Sequence, residues 1–281
     1  MNTKLSAAQQ FQRLSDLVAQ LRAPDGCPWD REQTHRSLRA SLIEETAETL
    51  DAIERADDAD LREELGDLIL QPIFHAQIAS EESRFDLADV LEEICEKLIR
   101  RHPHVFGDAN AEDSDAVLKN WDAIKLQEKT AKALSANAES PDNRGLDSVL
   151  SNVPRELPAL SMAQKVSKKA AKAGFEWESF GDVLDKVREE IDELQAEISG
   201  ENRGRAAEEL GDLLFTIVNV ARWQKIDAEL ALRDTIRRFA GRFQAMENEA
   251  QRRGLALEML SPQDWDALWN AAKSSTKKSG E

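Results

Sequence analysis

Tyrosine is missing from these 281 residues, aromatics as a class make up 5%, and there are only two cysteines, Cys27 and Cys95. They form no C-x-x-C pair, and with four histidines they make no set at metal-ligand spacing. Neither a disulfide framework nor a zinc site is therefore expected, and a reducing cytoplasmic compartment is the default. No run approaches the roughly 18 consecutive apolar residues that a spanning helix needs, so no membrane association is expected. The opening MNTKLSAAQQFQRL has no apolar run or small-residue cleavage site, which argues against a secretory signal. Positive charge is also in deficit: 37 Lys and Arg face 54 Asp and Glu, a formal net charge of -17. Such a surface repels nucleic-acid backbones, so no nucleic-acid partner is expected. A small phosphorylated substrate stays open, provided that a cation screens it.

What is present points to helices. Hydrophobic residues make up 41%, charged residues 32%, and the mean hydropathy is -0.55, the balance of a globular chain with a packed core. Ala, Leu, Glu, Arg and Lys dominate, while the Val/Ile/Thr alternation of strands is scarce. Apolar residues recur at helical spacing, as in Leu61, Leu65, Leu68 and Ile69, and in Ile191, Leu194 and Ile198. The fold class expected is all-α with short connections.

The chain repeats itself. The hexapeptide EELGDL at Glu63–Leu68 returns 145 positions later at Glu208–Leu213, and the EExxE element of Glu44, Glu45 and Glu48 returns at the same offset as Glu189, Glu190 and Glu193. The register extends outwards with small changes where loops vary. Gly26 and Trp29 match Gly174 and Trp177, Lys97 and Arg101 match Arg238 and Arg242, and Trp121 and Lys125 match Trp269 and Lys273. One unit is expected at 1–126 and a second at 146–273. The Ala-, Ser- and Asn-rich stretch 127–145, with Pro141, reads as a linker. The end, 274–281, reads as a disordered tail.

Residues three or four apart share a helix face. EExxE therefore presents Glu189, Glu190 and Glu193 together, and Glu209 and Asp212 face one way on the next helix. Gly200, Asn202 and Gly204 suit a turn between the two helices. A hairpin would bring the two acidic sets together. Like charges about 4 Å apart repel by roughly 4 kcal/mol at an effective dielectric near 20. A raised pKa relieves part of this; a divalent cation relieves more and gives the cluster a use. Oxygen-only ligands suit Mg²⁺, with Mn²⁺ also accepted. Di-iron bundles place E-x-x-H pairs at such positions; here Glu48, Asp67, Glu193 and Asp212 stand there, which argues against redox iron. Taken alone, an acidic run is a solvated face, a tryptophan is core, and an arginine is a surface ion pair. It is the double occurrence at fixed spacing that favours a site. Glycine inside a helix costs about 1 kcal/mol relative to alanine, so Gly66 and Gly211 are expected where helices pack closely. Pro72 is expected to kink its helix.

EExxE followed by ExxD resembles the signature of the all-α nucleoside triphosphate pyrophosphohydrolases. The blocks GCPWDREQTH, KLIRRHPHVFGD, LPALSMAQK and GFEW, with the two EELGDL copies, look like a two-domain MazG protein over most of the chain. The resemblance implies hydrolysis of nucleoside triphosphates to monophosphate and pyrophosphate, clearing the nucleotide pool, by a homodimer. It implies that Glu190, Glu193, Glu209 and Asp212 hold Mg²⁺, with Glu45, Glu48, Glu64 and Asp67 as the first unit's equivalents. Glu189, and Glu44 in the first unit, would activate the attacking water. Lys186, Arg238, Arg242 and Lys273 would contact phosphates, and Trp269 would stack on the base or ribose. Lys97, Arg101, Trp121 and Lys125 are the first unit's counterparts. The family often has Lys where Arg238 stands. The second unit is favoured as the main hydrolase. Rival readings are a nucleotide-binding helical scaffold without turnover and a hydrolase of another phosphorylated compound, such as an alarmone.

Overall fold

The computed structural model describes residues 4–107, 148–151 and 153–277, with scattered positions from 110 to 128. Among the described residues the secondary structure is helical, without a strand. None of these helices is long and apolar enough to cross a membrane. The chain divides into two compact units, Met1–Glu139 and Ser140–Glu281.

The first unit contains α1 (Ala7–Arg22), α2 (Pro28–Glu32), α3 (Arg39–Arg55), α4 (Asp58–Glu81), α5 (Leu87–Arg101) and α6 (Pro103–Phe106). Local chemistry sets several of these boundaries. Ser6 and Gln9 form a capping box on α1, as do Asp86 and Asp89 on α5, and the Asp57 side chain accepts from the first turn of α4. The principal packing is the antiparallel pair α3 and α4, with α1 against α4. The core joins Val18 of α1 to Leu38 and to Ile73, Phe74 and Ile78 of α4. Each such buried side chain contributes about 1.5–3 kcal/mol. Pro72 lies inside α4, which runs on to Glu81. Arg22 fastens the segment around α2: it donates to the carbonyls of Asp30 and Gln33 and forks onto both oxygens of Glu81.

The second unit contains α7 (Ala159–Lys172), α8 (Phe180–Ser199), α9 (Arg203–Trp223), α10 (Ala228–Arg252), a 3-10 turn at Leu257–Met259, and α11 (Pro262–Lys277). Here α8 pairs with α9, α7 lies against α9 and α10, and α11 packs on α10 through Met246, Ala250, Leu268 and Ala272. Arg222 plays the role of Arg22: it forks onto Glu176, which also accepts from the Trp223 indole, fastening the GFEW segment to α9.

Both hairpins turn in the same way. Ala56 and Glu201, in register at 145, hold left-handed φ values of 52° and 54°. In each turn the next amide closes onto the preceding helix, Asp57 onto the Ala52 carbonyl and Asn202 onto that of Glu197. Asn202 caps α9, so Gly204 falls inside the helix and not in the turn. The close packing expected at Gly66 and Gly211 is not found. A Cβ added at either glycine would meet nothing within 4 Å. Helix α11 extends four residues into the expected tail, and residues 278–281 lie outside the described set. Of the expected linker, Gln127 and Glu128 are helical, and 129–145 lie outside the described residues.

Candidate functional site

The hairpin of the second unit gathers Glu190 and Glu193 from α8 and Glu209 from α9, with one carboxylate oxygen of each within 4.8 Å of the others. The three-residue spacing puts the first two on one face of α8, and the turn at Glu201 sets the register that brings Glu209 opposite. Glu190 is 4% exposed and Glu209 7%, whereas Glu193 reaches solvent. Two cations compensate this charge. Lys186 lies 2.7 Å from Glu189 and 2.9 Å from Glu190, bonds that raise the pKa of its ammonium. Arg205 donates to Glu209 at 3.0 Å. Burial still raises the Glu209 carboxyl; Arg205 pulls it down, and Glu193, Asp212 and Glu190 push it up. Asp212 is thus near enough to act on Glu209 but stands outside the trio. Glu189 is also outside, held by Lys186.

The first unit repeats the trio as Glu45, Glu48 and Glu64, again within 4.8 Å. Glu45 and Glu64 are half-buried and Glu48 is exposed. Burial raises the Glu45 carboxyl, followed by repulsion from Asp67, Glu48 and Glu44. Burial likewise raises Glu64, with Glu48, Asp60, Asp67 and Glu45 adding to it. The compensating cations are absent from this register, where Ser41 and Asp60 stand in place of Lys186 and Arg205.

Both trios fit a hard divalent ion. Their donors are all oxygen, one ion can reach all three, and the charge they concentrate is costly without one. A divalent metal ion is therefore the ligand that the donor chemistry fits.

The basic and aromatic residues of the second unit meet around Trp269. The Arg242 guanidinium lies 5.9 Å from the indole centroid and the Lys273 ammonium 5.7 Å, while Phe239 tilts against the same ring at 5.4 Å. Trp269 also leans on the Met246–Leu268 core cluster, so packing and ligand contact share this side chain. Arg238 is exposed and donates to Thr235. Among the described residues, no ion pair or hydrogen bond joins Arg238, Arg242 or Lys273 to the carboxylate trio. In the first unit, Lys97 and Arg101 line a cavity of about 660 Å³ with Arg100, Ile124, Gln127 and Glu128. Arg101 is not free there but is paired with Glu128 at 2.6 Å. Trp121 and Lys125 are exposed.

Sequence reasoning missed three participants. Arg205 was within reach, because it precedes Glu209 by four residues on one helix. The partnership of Glu176 with Arg222 joins residues far apart in sequence and carried no local signal. Glu128 was absorbed into the expected linker.

The family described as the MazG nucleotide pyrophosphohydrolase domain matches this chain twice, at residues 33–106 and 179–246. Each match contains one trio. The chain is 43% identical over 267 residues to the nucleoside triphosphate pyrophosphohydrolase of Escherichia coli strain K12, covering 94% of this chain and 97% of that protein. It is 42% identical over 263 residues to the nucleoside triphosphate pyrophosphohydrolase/pyrophosphatase MazG of Thermotoga maritima, covering 94% and 95%. The nucleoside triphosphate pyrophosphohydrolase of Mycobacterium tuberculosis is 37% identical over 203 residues, covering 71% of this chain and 56% of that one.

Proposed function

The chain belongs to the MazG family of nucleotide pyrophosphohydrolases, and from that premise we propose how it works as a nucleoside triphosphate pyrophosphohydrolase, splitting its substrate into monophosphate and pyrophosphate. The observation that carries the reading is the pair of carboxylate trios, each inside a match to the family. The ion is Mg²⁺, or Mn²⁺ in its place. In the second unit Glu190, Glu193, Glu209 and Asp212 would hold it; in the first, Glu45, Glu48, Glu64 and Asp67 would. The chemistry such an ion would supply there is charge neutralisation of a triphosphate and acidification of water.

The remaining work falls to the chain. Glu189, exposed at the edge of the trio, accepts the proton of the attacking water, and Glu44 is its counterpart. Lys186 neutralises Glu189 and Glu190 in this structure, and its ammonium would also contact a phosphate brought to the edge of the trio. Arg238, Arg242 and Lys273 oppose the charge that develops on the phosphates. Trp269 offers an indole face that stacks on any base without reading it. Lys97, Arg101, Trp121 and Lys125 are the first unit's equivalents. The second unit is the main hydrolase: its Arg242 and Lys273 gather on the Trp269 ring, whereas Arg101, the first unit's counterpart of Arg242, is held by Glu128.

The test is product analysis with a panel of ribo- and deoxyribonucleoside triphosphates, with Mg²⁺ and with a chelator. Monophosphate plus pyrophosphate, lost on chelation, is the expected result. Diphosphate plus orthophosphate would mean that another bond is cut. Binding without any product would leave a nucleotide-binding scaffold, and turnover of an alarmone alone would move the substrate class.

A further inference from the structure

The two copies spend the same arginine differently. Arg242 of the second unit lies over Trp269, its Nε is buried without a hydrogen-bond partner, and among the described residues no carboxylate pairs with it. Its counterpart in the first unit, Arg101, donates to Oε2 of Glu128 from Nε at 3.1 Å and from Nη2 at 2.6 Å. Arg100 donates from Nε to the other oxygen at 2.7 Å. The carboxylate thus sits between two guanidinium groups with both oxygens engaged. The Glu128 side chain is 16% exposed and that of Arg101 19%. Hydrogen bonds from Arg101 and Arg100 hold the carboxyl down at about 2, so it stays ionised at any working pH. Around it lies the cavity of about 660 Å³, which Lys97 also lines.

Two features of the sequence make this contact specific to the first copy. In the register that matches Trp121 with Trp269, the position of Glu128 holds Thr276, which has no carboxylate. Gly241 stands where the first unit has Arg100. Forked pairing of this kind is how arginine binds phosphate as well as carboxylate.

We infer that Glu128 is a built-in anion that occupies the phosphate-binding cations of the first unit, so that a nucleoside triphosphate must displace it before binding there. The inference rests on the reading of these basic residues as phosphate contacts. It makes the first copy a low-affinity site whose occupancy follows nucleotide concentration, and it assigns Arg100 to the same anion site.

The experiment is calorimetric titration of the full-length chain with a non-hydrolysable α,β-methylene triphosphate in Mg²⁺, comparing the natural sequence with Glu128→Gln. The natural chain is expected to show one tight site and one weak one. Glu128→Gln keeps the side-chain shape and removes the charge, and should tighten the weak site about tenfold, equivalent to about 1.4 kcal/mol, without moving the tight one. Adding Arg101→Ala should erase that gain. Glu128→Asp keeps the charge and shortens the arm, and should give a smaller gain. Unchanged helical circular dichroism would show that each variant is folded. Superimposable isotherms for the natural chain, Glu128→Gln and Glu128→Asp would overturn the inference and leave the pyrophosphohydrolase reading standing. An analogue that binds no site in any protein would overturn both.

Discussion

Glu190 and Glu209 are nearly buried acids kept close to a third carboxylate, and the chain spends Lys186 and Arg205 on making that tolerable. Glu193 completes the trio from the solvent side. Glu193→Gln removes one anionic donor of the trio while preserving shape, and on the proposed metal-holding role should lower kcat by more than the roughly 100-fold that outer-shell losses cost. Circular dichroism should be unchanged, because an exposed side chain has little to do with folding; full activity in this variant would sink the ligand assignment. The raised carboxyls give a second prediction, with its sign fixed by linkage. A carboxyl whose folded pKa lies above its unfolded value costs nothing below the unfolded pKa, and its cost grows as pH rises through the folded pKa. Glu45, Glu64 and Glu209 all shift that way, first through burial. The metal-free chain therefore carries more of this cost at about pH 7.5 than near pH 4, and the rise in melting temperature given by Mg²⁺ should be larger at the higher pH. Differential scanning calorimetry across that range checks it, and a pH-independent increment would place the ion elsewhere.

At the scale of elements, the hairpin turn is the device that sets the site. The second-unit glutamates were legible because their signals are local, glutamates three apart and a fixed distance between the acidic elements; Arg205, four residues before Glu209, carries an equally local signal that the sequence reading did not use. The turn residues were read less well. Gly200 and Gly204 drew attention, yet the left-handed position falls on Glu201, and on Ala56 in the first unit. A left-handed conformation costs a non-glycine residue roughly 1–2 kcal/mol, so Ala56→Gly should stabilise the first unit by roughly 0.5–1 kcal/mol once glycine's greater unfolded-state entropy is offset. Urea unfolding would register this as a higher midpoint at unchanged slope, and a lower midpoint would mean that the alanine methyl is needed for packing. The glycine argument failed at Gly66 and Gly211 for a related reason. Helical glycine signals either close packing or an open face, and spacing alone does not separate the two. Glu176 and Glu128 were out of reach because their partners are set by tertiary packing, across 46 and 27 positions.

At the scale of the whole molecule, each unit leaves apolar stripes that its own helices do not cover. On α9, Leu210, Leu214 and Ile217 recur at four and three residues, with exposures of 47%, 51% and 47%. On α5, Leu91, Ile94 and Leu98 make a similar stripe, and no residue of that helix is buried. On α10, Leu232, Ile236 and Phe239 do the same. A contiguous apolar face at helical period is the mark of a surface that packs against another helix. Since the α9 stripe runs along the hairpin that carries the second carboxylate trio, a second copy of the chain seated on it would cover that site as well as the apolar surface. The expected state is a homodimer joined through isologous faces, with an interface on the order of 1,600 Å² or more. Sedimentation velocity at micromolar concentration should give twice the 31.5 kDa chain mass. Leu214→Glu combined with Ile217→Glu puts charge into the centre of the α9 stripe and should shift the protein to monomer while retaining helical content. A natural chain that sediments as a monomer at every concentration would instead mean that the stripes are covered within one chain.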